Sequence, residues 1–266
     1  MSAQFYVHRA RAQVAEVRAR VGLLGYDVAV DERLDVEALA VAFLTCEVVA
    51  LQHLSERVAF AYLERTYGVD TSGETPSGTP LAGGLFVSRT GSHRWVFVDA
   101  SESPARQRFT IAHELGHLVL EAEPALARTA AQPPSLFDDE AQETTHVAPL
   151  LTYGRRCTPT VVGPDTSQSG GAPSRRPRDT RRLSPDELRE IQANHFAAEL
   201  LMPYEGVRRV IAGALGPAGV QGEADLDHVV SVVASRYDVS FAAARLRLTK
   251  DFGVTGETAG GLDLFT

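Results

Sequence analysis

The sequence predicts an α+β fold that is mainly helical, with a small β-sheet beside one functional helix. Three observations predict it. Helix-period apolar patterning, several times with recognisable caps, recurs in segments from the N-terminus to residue 248. Residues 81–87 and 94–99 instead have strand-type composition, separated by a turn through Thr90, Gly91 and Ser92. The second run leads directly into a helix marked by Ser103 at its N-cap and Pro104 at N1, which carries His-Glu-Leu-Gly-His at 113–117.

In chain order, residues 3–24 read as a helix with Phe5, Val14, Val17 and Val21 among its apolar positions and Gly25 after its end. Its arginines, Arg9, Arg11, Arg18 and Arg20, read as a solvated face. Residues 35–43 form a second helix, 46–51 a short strand and 56–67 a third helix, followed by a Gly/Ser/Thr/Pro-rich loop over 70–80. Beyond the His-Glu helix, residues 121–182 change character. They are acidic first and arginine-rich later, with much Pro, Gly, Ser and Thr, a composition that buries little. A flexible insertion is expected at about 129–182, partly covering the cleft, since it leaves one functional helix and returns at the other. Ser184 with Glu187 three positions on is a capping box, Pro185 falls at N1 and Pro203 ends the helix. Helices follow at 204–214, 227–237 and, with Ser240 as N-cap, to 248; 249–266 reads as a frayed tail. The expected organisation is an N-terminal helical segment (1–80), a core (81–215) and a C-terminal helical segment with tail (216–266).

Composition narrows the function. With 266 residues, 44% apolar and 23% charged, the chain is long enough for a substantial core and ordinary for a globular protein. A formal charge of -8 argues against general nucleic-acid binding. Two cysteines, Cys46 and Cys157, lie far apart without metal-ligand spacing, which predicts neither a disulfide scaffold nor a thiolate metal site. No membrane span or signal-type apolar run is visible, so a cytoplasmic location is expected.

The chemistry concentrates in two stretches. One helical turn puts His113 and His117 on the same face, where two imidazole nitrogens can bind one Zn²⁺ and leave room for a third ligand and a water. Glu114 lies beside them, where a carboxylate can take a proton from that water. On the later helix, Glu190, Asn194, Ala197, Ala198 and Leu201 share a face. Glu190 is therefore the candidate third ligand, and Asn194 a candidate hydrogen-bond partner for a ligand histidine. His53 and His146 are read as bystanders. Tyr204, Tyr153 and His195 are undecided candidates for a second oxyanion donor.

Arg-Gln-Arg-Phe-Thr-Ile-Ala-His-Glu-Leu-Gly-His (106–117), followed by the pattern E-x-x-A-N-x-F-A-A-E-L-L-M-P (190–203), resembles the ImmA/IrrE family of zinc metallopeptidases. The likeness extends more loosely from Gly83 to Leu248, and its one departure is the length between the motifs. It implies a zincin-like, gluzincin-type core with zinc (manganese as an alternative ion) on His113, His117 and Glu190, and Glu114 as general base. It also implies that Trp95, Val96, Phe97, Val98 and Asp99, the strand before the metal helix, border the cleft and could pair with substrate backbone. The implied substrate is a protein, a helix-turn-helix transcriptional repressor cut in a stress response or in control of a mobile element, with no direct nucleic-acid or membrane partner. A metal-binding regulatory or antitoxin-like protein acting by contact is the alternative, and an intact Glu114 speaks against it.

Overall fold

A computed structural model describes residues 3–23, 32–88, 91–130, 151–153, 184–215 and 222–255. Its described helices are α1 (Ala3–Leu23), α2 (Val36–Leu44), α3 (Glu56–Tyr67), α4 (Pro104–His117), α5 (Glu123–Ala130), α6 (Pro185–Leu201), α7 (Tyr204–Leu215), α8 (Glu223–Tyr237) and α9 (Phe241–Asp251). A π-helical turn, Leu118–Ala122, joins α4 to α5. The strands are β1 (Glu47–Leu51), β2 (Gly83–Val87), β3 (Arg94–Asp99) and β4 (Leu151–Tyr153). The expected α+β, mainly helical class is the observed one.

Local signals explain most boundaries. Asp35 stays outside α2 as its N-cap, accepting from the amides of Glu37 and Ala38, and Ser55 caps α3 through Val58. At Ser184 both halves of the capping box are formed. Ser103 occupies the N-cap of α4, but its hydroxyl makes no cap bond; Pro104 supplies the start. Helix α8 begins four residues before the expected 227, and α9 runs on to Asp251, with Phe252 and Val254 buried beyond it. Part of the expected tail is therefore packed; 256–266 lies outside the described residues.

The sheet order is β1-β3-β2-β4, with β1 parallel to β3 and the other pairs antiparallel. Alternation sorts the strands into two faces. Leu85, Val87, Val96 and Val98 join an aliphatic core with Ile111, Ala112 and Leu115 of α4 and with residues of α1, α2 and α6 to α9. Phe86, Trp95 and Phe97 face the other way, into an aromatic-rich cluster with Phe60 and Leu63 of α3.

This order overturns one expectation. Strand β3 is interior, with β1 on one side and β2 on the other, and residues 95–99 are buried. Its backbone groups are spent on the ladder, so Trp95–Asp99 cannot accept a substrate strand edge-on. The edges of the sheet are β1 and β4, the latter pairing with β2 at Leu85, Phe86 and Val87.

Two further readings are corrected. Glu121–Ala130 is not part of a poorly packing stretch: the π turn and α5 continue α4, with Ala122 fully buried. Arg11 and Arg18 are not merely solvated. Arg18 Nη2 donates to the Leu200 carbonyl at 3.0 Å, and Arg11 lies 3.8 Å over the Tyr204 ring and 3.6 Å from Glu199. Apart from β4 and the end of α5, the 129–182 insertion lies outside the described residues, as do His146 and Cys157.

Candidate metal centre

Helices α4 and α6 meet at a crossing of small residues. A Cβ on Gly116 would stand 3.1 Å from Ala193 Cα and 3.2 Å from the Phe196 ring, so glycine lets the two backbones close. That closeness brings Glu190 of α6 over the histidines of α4. On the other side α4 lies against the sheet: a Cβ on Gly83 would come within 2.1 Å of Thr110 Cγ2 and 2.9 Å of the Phe97 carbonyl oxygen.

His113 and His117 turn their Nε2 atoms toward one point, 3.1 Å apart. The Glu190 carboxylate completes the group, 3.4 Å from His113 Nε2 and 3.5 Å from His117 Nε2. Four-coordinate bonds of about 2.0–2.1 Å require donor atoms about 3.3 Å apart, which these separations match. The opposite ring nitrogens are engaged: His113 Nδ1 with Asn194 Oδ1 at 3.1 Å, and His117 Nδ1 with Glu121 Oε1 at 2.7 Å. Both acceptors are oxygens, so each ring donates from Nδ1 and turns a lone pair at Nε2 inward. Two facing lone pairs beside a carboxylate repel one another until a cation lies between them. The surroundings favour positive charge there. Burial opposes a charged His117, yet its hydrogen bond to Glu121 and the charges of Glu114, Glu121 and Glu190 outweigh that and raise its pKa. The residues fit a metal ion. Among the described residues, no other group of three His, Cys, Asp or Glu side chains has this geometry.

Glu114 is fully enclosed, and burial pushes its carboxyl up, opposed by the nearby histidines and by a hydrogen bond with the Leu85 backbone. Its Oε2 is buried without a protein partner. A buried carboxylate with an idle oxygen beside a three-donor cluster is equipped to accept and return a proton.

The other sequence candidates divide. Asn194 lies against His113, one turn after Glu190 on α6. Tyr204 stacks on Phe252, with ring centroids 4.6 Å apart, beneath Arg11; His195 has Asp251, Arg247, Lys250 and Arg11 as its charged neighbours. Both belong to the α1/α9 side of α6. Tyr153 lies on β4 opposite Leu85, the residue whose backbone bonds to Glu114. His53 sits in a turn at φ 54°. Sequence reasoning missed Glu121, although its spacing of four from His117 on a continuing helix was available as a signal.

The C-terminal hairpin braces both functional helices. Buried Arg108 of α4 reaches Asp238 in the α8–α9 turn at 2.8 Å and the Leu34 carbonyl at 3.0 Å. Buried Arg247 of α9 holds Glu199 of α6, Asp251 and the Met202 carbonyl. Among the described residues no helix is long and apolar enough to cross a membrane.

No curated protein matches the chain. The sequence profile of the IrrE N-terminal-like domain, a peptidase family, matches residues 73–144 and 168–249, more than half of the chain, and both helices of the metal centre fall inside the match. The chain belongs to the IrrE N-terminal-like peptidase family, with a role of the metallopeptidase type.

Proposed function

We propose that the protein is a zinc-dependent endopeptidase that makes a site-specific cut in a partner protein. The observation that carries the reading is the buried, partnerless Oε2 of Glu114 beside the His113, His117 and Glu190 donors. A purely structural metal site has no use for a carboxylate held in that position. Bound there, zinc would supply Lewis-acid polarisation of the attacking water and of the scissile carbonyl. Glu114 accepts the proton from that water and delivers it to the leaving amine. His113, His117 and Glu190 hold the donor triangle. The sheet and α4 exclude bulk water from the Glu114 side, since Gly83, Leu85 and Thr110 are all buried there.

The substrate class rests on the resemblance of the two motifs to ImmA/IrrE proteins: a helix-turn-helix transcriptional repressor, cut in a stress response or in control of a mobile element. An indiscriminate peptidase in the cytoplasm would be toxic, which favours one docked partner over general digestion. The test incubates the zinc-loaded protein with casein and with the product of a neighbouring repressor gene, using Glu114→Gln as control. A single cut in the repressor that Glu114→Gln abolishes, with casein intact, is the expected result. Broad casein digestion, or no Glu114-dependent cut in any candidate repressor, overturns it.

A further inference from the structure

The two histidines of the centre are held by chemically different partners. Asn194 offers His113 a neutral amide oxygen at 3.1 Å, whereas Glu121 offers His117 a carboxylate at 2.7 Å. We propose that Glu121, on the π-helical turn just beyond the metal helix, is a positioning residue that sets the metal affinity of the centre through His117. This rests on the metallopeptidase reading of the site.

Three features support the assignment. The contact is short and largely shielded, the side chains of His117 and Glu121 being 5% and 17% exposed, so water competes weakly for it. A carboxylate accepting from Nδ1 fixes the tautomer and strengthens the lone pair at Nε2 more than a neutral amide does. The second oxygen, Oε2, lies 3.5 Å from Nε of Arg189, the residue immediately before the ligand Glu190. One carboxylate therefore orients a ligand on α4 and contacts the helix that carries the third ligand. Glu121 itself lies within the π turn Leu118–Ala122, from which α5 continues with Leu126 beside Gly91.

Zinc affinity is measured by competition against a chromophoric chelator for the full-length wild type, Glu121→Gln, Glu121→Ala and Asn194→Ala, without substrate. Cobalt substitution supplies a ligand-field spectrum for each, and thermal unfolding of the metal-free proteins reports the fold. Glu121→Gln keeps shape and a hydrogen bond but not the charge. It is expected to lose about tenfold in zinc affinity, with a shifted cobalt spectrum and an unchanged metal-free melting temperature. Glu121→Ala loses more, up to about 100-fold, and Asn194→Ala loses less than Glu121→Ala. If both Glu121 variants bind zinc as tightly as wild type with the same cobalt spectrum, the assignment is wrong while the peptidase reading stands. If they lose affinity only in proportion to a lower metal-free melting temperature, Glu121 is structural and the assignment is again wrong. A wild type that binds no zinc overturns both.

Discussion

The two faces of the sheet are built from different materials. One is aliphatic (Leu85, Val87, Val96, Val98) and supports α4, which carries the buried polar groups Arg108, Thr110, His113, Glu114 and His117. The other is aromatic: Phe86 and Phe97 meet edge to face at 5.2 Å, and Phe60 packs on Phe86 at 5.5 Å beneath α3. Large rings fill the side away from the chemistry, while small and branched side chains let the metal helix approach the sheet on the other. One face supplies rigidity by volume, and the other supplies it by close approach.

That contrast can be broken from either side. The largest effect is expected on the aromatic face. Phe97 is fully buried, and Phe97→Ala should cost about 3–5 kcal/mol of stability, read by denaturant unfolding. At temperatures where the variant is folded, its zinc affinity should match wild type. On the aliphatic face, Gly83→Ala puts a methyl against Thr110 and the Phe97 carbonyl, and should cost about 1–3 kcal/mol. Unlike Phe97→Ala, it should also impair hydrolysis by the folded protein, because the displaced helix carries Glu114.

Gly116→Ala sharpens the comparison further. Its Cβ would press on Ala193 Cα at 3.1 Å, while alanine in a helix interior gains up to about 1 kcal/mol over glycine. Net stability should therefore change little while zinc affinity falls, as α6 and Glu190 are pushed outward. An unchanged affinity in a calorimetric titration would show that the crossing tolerates the methyl.

The smallest effect concerns Cys46, buried in the aliphatic core, where burial pushes its thiol from 9.0 up to about 12. The unfolded chain releases this proton first as pH rises. The thiol's contribution is thus fully present below pH 9 and is lost as pH climbs toward 12. Between pH 9 and 10.5, wild type should lose stability more steeply than Cys46→Ala.

The candidate ligands were legible as a set because helix periodicity puts His113 and His117 one turn apart, and sets Glu190 on one face of its own helix with Asn194 a turn on. The capping box at Ser184 fixed where the second helix begins. What escaped the sequence was non-local. The interior place of β3 is decided by a parallel pairing with β1 across α3, and the far side of β2 is covered by a strand arriving from beyond residue 150; no pattern within 94–99 encodes either. Glu121 escaped for the opposite reason. The acidic composition after it masked a helical spacing that was already complete at His117. The α8–α9 pair has a superficial helix-turn-helix look, but Arg108 and Arg247 bind it to the two ligand helices from the inside.

The β4 strand has a consequence for chain length. In the unfolded protein, bringing α4 and α6 together means closing a long loop, and the entropy of closure rises only logarithmically, by roughly 0.6 kcal/mol per doubling of length. Pairing Leu151–Tyr153 with β2 divides that loop into two shorter ones, anchored beside the site they connect. Each could lengthen or shorten independently at little thermodynamic cost. The connection between α4 and α6 is thus a place where added length carries only a small entropic cost.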